Sequence, residues 1–270
     1  MLLAIANQKG GVAKTTSTIC LVGVLAQRSS CLAVDLDPQA NLTTGLGVEV
    51  QEDQNTTYEV ITEVASVADS VVLSQSGLAV LPSDITLAKG ETELLAKVGN
   101  FYILKERLEP VSTEYDNILI DCPPSLGLLT VNALCAADAV LIPVQCQFFA
   151  LKGLAALLET IGSVQKRLNP NLKILGVLPT MAEKTVMTQD VLSSLQKRLT
   201  NIRVFDPVPK SVKFTESNLA GQPIHLYVQD QKLVKPYRAI APSSGTKLSQ
   251  SILNKRIGEP FNVQTRSTHR

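Results

Sequence analysis

Along this chain, short runs of apolar residues alternate with longer stretches in which apolar positions recur at helical spacing. The runs predict strands at residues 2–6, 32–35, 78–81, 118–121, 139–144, 174–178 and 202–205. Several are apolar almost throughout, as expected of parallel strands covered on both faces. The intervening stretches predict helices at 14–26, 85–96, 101–108, 128–136, 154–168 and 188–199. A strand–helix rhythm of this kind implies an α/β fold, a doubly wound and mostly parallel sheet with helices on both faces, in three layers. Residues 48–76 are acidic and polar and read as a surface helix with loops. No internal repeat and no obvious linker is visible. One domain is therefore expected over residues 1–242, followed by a basic, polar tail at 243–270 with a short helix near 248–257.

Composition narrows the class. Hydrophobic residues are 45% of the 270 and mean hydropathy is +0.16, enough to build a core and exclude wholesale disorder. No apolar run reaches the ~20 residues of a bilayer span, and no basic segment precedes the first apolar stretch, so neither a membrane span nor secretion is expected. The five cysteines are scattered without a CxxC pair. They read as reduced, buried thiols of a cytoplasmic protein rather than a zinc site or disulfide framework. The net charge of +1 hides an asymmetry. Residues 1–183 hold 11 basic and 19 acidic side chains, a net of −8; residues 184–270 hold 14 and 5, a net of +9. The basic third suggests an anionic partner, although an uneven solvated surface would give the same tally.

The first predicted strand runs into Asn7-Gln8-Lys9-Gly10-Gly11-Val12-Ala13-Lys14-Thr15-Thr16 and then into a helix. Glycines let successive backbone N–H groups turn inward, and the helix N-terminus adds positive potential. A lysine offsets β/γ-phosphate charge and a hydroxyl in the first helical turn binds Mg²⁺. Gln8 and Ala13 stand where the commonest phosphate-loop pattern has glycines. For Ala13, that substitution predicts a backbone conformation suited to an L-residue.

The loop resembles the deviant Walker A motif, KGGxxK[ST], of the ParA/MinD ATPases. Asp35–Asn41 (DLDPQAN) and residues 115–134 (YDNILIDCPPSLGLLTVNAL) resemble the ParA/Soj branch, and the similarity extends from Leu3 to about Ala241. The resemblance implies a P-loop fold that binds ATP and Mg²⁺ and hydrolyses ATP slowly under the control of a partner. Lys9, Gly10, Gly11, Val12, Ala13, Lys14, Thr15 and Thr16 would hold the nucleotide, with Thr15 on the metal and Thr16 on the α-phosphate. Asp121 would support Mg²⁺ through water. Asp37 would position or polarise the attacking water, also in reach of the metal through water. Catalysis would fall to Asp37, Lys9 and Lys14. Loops carrying Met181, Pro207 and Pro209 would flank the base.

By the same resemblance, Lys9 reaches across a two-fold interface to the partner's nucleotide, making ATP the glue of a homodimer. Lys152 stands where the family usually has glutamate. It would add a second cation near the paired nucleotides, or simply be a solvated lysine at a helix start. Lys210 and Lys213 fall on family positions where arginines bind DNA, Lys184 falls near another after an apparent one-residue deletion at 182–185, and Lys232, Lys235 and Arg238 would extend that patch. Lysine is a point charge without arginine's fork, so the expected contacts are non-specific and salt-sensitive, to duplex backbone. The alternative is a solvated face. The implied role is a nucleoid-associated positioning ATPase, with a ParB-like or other cargo adaptor as its stimulating partner. The cargo would be a plasmid, a chromosome or a protein organelle such as a carboxysome. A MinD-like, membrane-associated division-site ATPase is the alternative, but residues 248–257 carry few large apolar side chains for it. An iron–sulfur relative would need cysteines paired at a two-fold interface, and a tyrosine-kinase relative a C-terminal tyrosine cluster that is missing after Tyr237.

Overall fold

A computed structural model describes residues 1–147 and 150–241. The chain opens with β1 (Leu2–Ile5), α1 (Lys14–Ala26), β2 (Cys31–Asp35) and α2 (Asn41–Gly45). Next come α3 (Thr57–Ile61), α4 (Val67–Ser70), β3 (Val72–Leu73), β4 (Ala79–Leu81), α5 (Leu87–Leu94) and α6 (Ile103–Leu108). The middle holds β5 (Asn117–Asp121), α7 (Leu128–Ala136), β6 (Ala139–Gln145), α8 (Ala150–Arg167), β7 (Lys173–Thr180) and α9 (Val186–Arg198). It closes with α10 (Lys213–Leu219), α11 (Ile224–Tyr227) and α12 (Gln231–Ile240).

The seven strands form one sheet in the order β3-β4-β2-β5-β1-β6-β7, and every pairing but β3–β4 is parallel. Side chains alternate across it. Leu3, Ile5, Ala33, Leu119 and Leu141 enter one core with α1, α2 and α10–α12. Ala4, Leu32, Val34, Ile118, Ile120, Val140 and Ile142 enter the other, with α3 and α5–α9. This is the expected three-layer arrangement, and all five cysteines are buried and free.

Two features depart from the sequence pattern. Residues 202–205 do not form a strand. They reach β7 only through the isolated bridge Val177–Val204, and a second bridge joins Ala182 to Pro209. Pro207 and Pro209 lack the N–H donors that a continuing ladder needs. The polar 48–76 stretch contains two short helices and β3, which borders β4 antiparallel. Its two-residue length is too short to show alternation.

Three helices after residue 212 were not visible in the sequence pattern. They cover α1: Ile224, Leu233, Val234, Tyr237 and Ile240 are buried in its core, and the Phe214 ring meets Tyr237 edge-on at 6.2 Å. The contact is close because α1 carries Gly23, where a Cβ would lie 2.5 Å from that of Pro223. The expected tail at 243–270 lies outside the described residues.

Candidate nucleotide site

The crevice lies at the C-terminal ends of β1, β2 and β5, where ligands bind in open parallel sheets. The loop from β1 to α1 is held from three sides. Asn7 Nδ2 donates to the Pro143 carbonyl (2.6 Å), the Lys9 N–H donates to Asn7 Oδ1 (3.0 Å), and Thr180 Oγ1 donates to the Val12 carbonyl (3.0 Å). Ala13 precedes α1 without a side-chain cap, and the first turn carries no acidic residue. The amides of that turn are therefore left for an anion.

Ala13 corrects an expectation: its φ is +64°, in the left-handed region, not a conformation that suits an L-residue. Gly11, at +69°, is the glycine whose freedom the loop does require. Of the four non-glycine residues with positive φ among those described, Ala13, Ala40 and Met181 all sit in loops that follow strands at this end of the sheet. Such strain costs of order 1–3 kcal/mol per residue and gathers at functional sites. Replacing Ala13 by glycine removes it at the expense of some chain entropy. We expect a gain of about 1 kcal/mol, a rise in Tm of roughly 2–4 °C by calorimetry.

The two lysines of the loop occupy different environments. Lys14 is buried, and its ammonium donates to the Lys9 carbonyl (3.3 Å). Burial lowers its pKa, and the charges of Asp121 and Asp37 work against that shift. Lys9 is exposed at the rim, its Nζ donating to Gln145 Oε1 (3.4 Å) and Gln147 Oε1 (3.1 Å) at the end of β6.

Asp121 ends β5 in register with Asp35 of β2. It accepts from Thr15 Oγ1 (2.6 Å) and from Thr18 Oγ1 (3.0 Å). Burial, then the Asp35 charge, push its pKa up to about 7. Asp35 is raised to about 6 by burial, against the hydrogen bonds it accepts from Thr43 and from the Asp37 N–H. Asp35 is thus a framework residue. Asp37 is the carboxylate beyond it, nearly buried, with Oδ1 accepting from the Gln39 N–H (3.0 Å). Two buried acids in register need a cation nearby to stay ionised together. Hydroxyl and carboxylate oxygens are the hard donors that Mg²⁺ takes, so the Thr15–Asp121 pair fits that ion.

The structure brings Lys9, Gly10, Gly11, Val12, Ala13, Lys14, Thr15, Thr16, Asp37 and Asp121 to one end of the sheet. Met181 follows β7 directly, and Pro207 and Pro209 run beside it: the Val208 N–H donates to the Pro179 carbonyl (2.8 Å) and the Lys210 N–H to that of Ala182 (3.0 Å). This pairing sets Lys184 and Lys210 in adjacent segments. Lys210 Nζ pairs with Glu183 Oε1 and Lys213 Nζ with Glu216 Oε2, both at 2.6 Å and both exposed. Lys232, Lys235 and Arg238 recur at i, i+3 on the exposed face of α12. Lys152 falls in α8, but its side chain lies outside the described residues, as do Phe148 and Phe149. Thr18, Thr43 and Ser83 were not singled out by the motifs, and Asn7 and Thr180 lay in marked segments without a role of their own. For Ser83 and Thr180 a signal existed: each sits at or just past the C-terminal end of a parallel strand.

The AAA domain family model matches residues 1–174. The chain belongs to the ParA/MinD family of P-loop ATPases, within its ParA/Soj group. It is 43% identical over 229 residues to the sporulation initiation inhibitor protein Soj of Bacillus subtilis, covering 84% of this chain and 90% of that one. It is 42% identical over 231 residues to the chromosome partitioning protein ParA of Caulobacter vibrioides, covering 84% and 86%. Among solved structures, cobyrinic acid a,c-diamide synthase from Mycobacterium smegmatis, with a bound ATP analogue and magnesium, superposes with a TM-score of 0.77. It shares 37% identity over 88% of this chain and 91% of that one. An ATP complex of McdA from Cyanothece gives a TM-score of 0.84 at 27% identity, over 93% and 95%.

Proposed function

We propose that this protein is a ParA-like positioning ATPase, a single ATPase domain over residues 1–242. It closes into a dimer around ATP, holds non-specific duplex DNA in that state, and lets go after hydrolysis. The observation that carries the reading is the division between its two loop lysines. Lys14 is buried inside the cradle, whereas Lys9, five residues earlier, stands exposed at the rim, its ammonium meeting only Gln145 and Gln147 among the described residues. A cation there is poorly placed for its own nucleotide and well placed for one on a second copy. Two triphosphates brought face to face repel, and one lysine from each side offsets that charge.

Within each copy, Lys14 and the free amides of α1 bind the phosphates, with Gly10, Gly11 and Thr16 lining the cradle. Thr15 and Asp121 would hold Mg²⁺, which draws charge from the β- and γ-phosphate oxygens when bound. Asp37 orients the attacking water and takes up its proton as the water oxygen bonds to the γ-phosphorus and the bond from that phosphorus to the bridging oxygen breaks, ADP leaving with that oxygen. The Met181, Pro207 and Pro209 loops border the base. Turnover is slow until a ParB-like or other cargo adaptor accelerates it, and the cargo is a plasmid, a chromosome or a protein organelle such as a carboxysome.

Lys184, Lys210, Lys213, Lys232 and Lys235 supply the DNA surface, which places the ATP form on the cytoplasmic nucleoid. Among the described residues no helix is long and apolar enough to cross a membrane. The MinD-like alternative turns on residues 248–257, which lie outside those described. The test is retention on non-specific DNA with Mg·ATP and with Mg·ADP at two salt concentrations. Retention only with ATP, falling steeply with salt, supports the reading; equal retention with both nucleotides rejects it.

A further inference from the structure

The Asp37 segment is clamped from behind by a residue of another strand. β4 ends at Leu81, and the next residue is Pro82, whose carbonyl accepts from the N–H (2.7 Å) and Oγ1 (3.0 Å) of Thr57. Thr57 Oγ1 also donates to the Asp35 carbonyl (2.8 Å), so the ends of β2 and β4 are tied together. This sets Ser83, completely buried, beside the turn after β2. Its hydroxyl donates to the Asp37 carbonyl (3.0 Å), which also accepts from the Ala40 N–H (2.9 Å). Its N–H donates to Thr43 Oγ1 (2.9 Å), and Thr43 Oγ1 donates on to Asp35 Oδ2 (2.7 Å). Asp35 Oδ1 in turn accepts the Asp37 N–H (3.1 Å). The circuit is closed: both backbone groups of Asp37 are held, one through Ser83 directly and the other through Asp35. The Asp37 side chain spends Oδ1 on the Gln39 N–H, and no donor among the described residues reaches Oδ2.

We propose that Ser83 is a positioning residue for ATP hydrolysis, its buried hydroxyl fixing the Asp37 backbone so that the carboxylate meets the attacking water in one orientation. The proposal rests on the reading of Asp37 as the hydrolytic carboxylate. A catalytic group must be held within about 0.5 Å of its working position, and misplacement by about 1 Å costs on the order of 10²-fold. A side chain that turns about its own Cα cannot be held that tightly unless its backbone is. The left-handed φ of +53° at Ala40, three residues on, shows that the turn is not in a relaxed conformation. Without the Ser83 hydroxyl, the Asp37 carbonyl keeps, among the described residues, only its local bond to Ala40, and the turn loses its tie to the end of β4. The Ser83 hydroxyl is completely buried and donates to backbone carbonyls, the Asp37 carbonyl foremost, so its loss should leave ATP binding intact.

The test is single-turnover hydrolysis and ATP binding for Ser83→Ala, Ser83→Cys, Asp37→Ala and the double variant Ser83→Ala/Asp37→Ala. Cysteine nearly matches serine in size but is a weak donor, so it keeps the packing and loses the clamp. Both Ser83 variants are expected to lower the hydrolysis rate by ~10–100-fold with ATP affinity unchanged. In the Asp37→Ala background, Ser83→Ala should have no further effect, because the group it positions is gone. A merely structural serine would slow both backgrounds alike, and that result overturns the proposal. So does wild-type hydrolysis by Ser83→Cys. Should Asp37→Ala itself hydrolyse ATP at the parent rate, Asp37 is removed as the catalytic carboxylate, and the role given to Ser83 goes with it.

Discussion

Asp37→Ala is expected to bind Mg·ATP as tightly as the parent protein and to hydrolyse it roughly 10²–10⁴-fold more slowly, the range for losing a positioned general base. The separation follows from where the residue sits. On the proposed reading, phosphate affinity belongs to Lys14 and the uncapped amides of α1, and metal affinity to the hydrogen-bonded pair Thr15 and Asp121. Asp37 is bound to none of these; its oxygen contact is the Gln39 N–H. The framework that shapes the turn belongs to Asp35, Thr43 and Ser83 and survives the substitution. Calorimetric titration of nucleotide and single-turnover hydrolysis check the two halves separately. Weakened binding with normal turnover would show that Asp37 serves the metal rather than the water.

The second large effect is on DNA. Lys210→Glu with Lys213→Glu is expected to abolish retention on duplex DNA at about 0.15 M salt, while ATP-dependent dimerisation is untouched. The resting partners of these lysines do not compete strongly. Both ion pairs are exposed, and such solvent-screened pairs contribute little. Exchanging Glu183 or Glu216 for a DNA phosphate therefore costs little. Charge reversal does more than delete two contacts: it sets a new carboxylate beside Glu183 and another beside Glu216, turning two basic points into two acidic pairs. The salt dependence of any remaining binding should be shallower by about one unit of slope per lysine. Retention at the parent level would move the DNA surface elsewhere.

The parts of the molecule that could be read in the sequence are those in which a period or a motif maps directly onto a position. The parallel strands were legible because both faces are buried, so Leu32–Val34 and Ile118–Ile120 are apolar without a break. The candidate site was legible where chemistry is tied to a short run: Lys9 to Thr16, Asp37 just beyond β2, and Asp121 at the end of β5. Three other kinds of feature were hidden. Helices α10–α12 are short, and Pro236 lies inside α12, although Leu233, Val234, Tyr237 and Ile240 keep helical spacing. The strand expected at 202–205 had the right side chains, but the prolines that follow prevent a ladder. The conformation of Ala13 could not be inferred from residue type, because an alanine ordinarily avoids the left-handed region that the loop imposes. The Ser83–Thr43–Asp35 circuit joins residues up to 48 positions apart and appears only when β4 is laid beside β2.

The most direct measurement is the mass of the protein in solution by light scattering, with Mg·ATP and with Mg·ADP, using Asp37→Ala to preserve the triphosphate. With ATP the mass should double from 29.0 kDa, and Lys9→Ala should abolish the doubling while leaving nucleotide bound. A protein that binds Mg·ATP and stays at the mass of one chain would contradict the account.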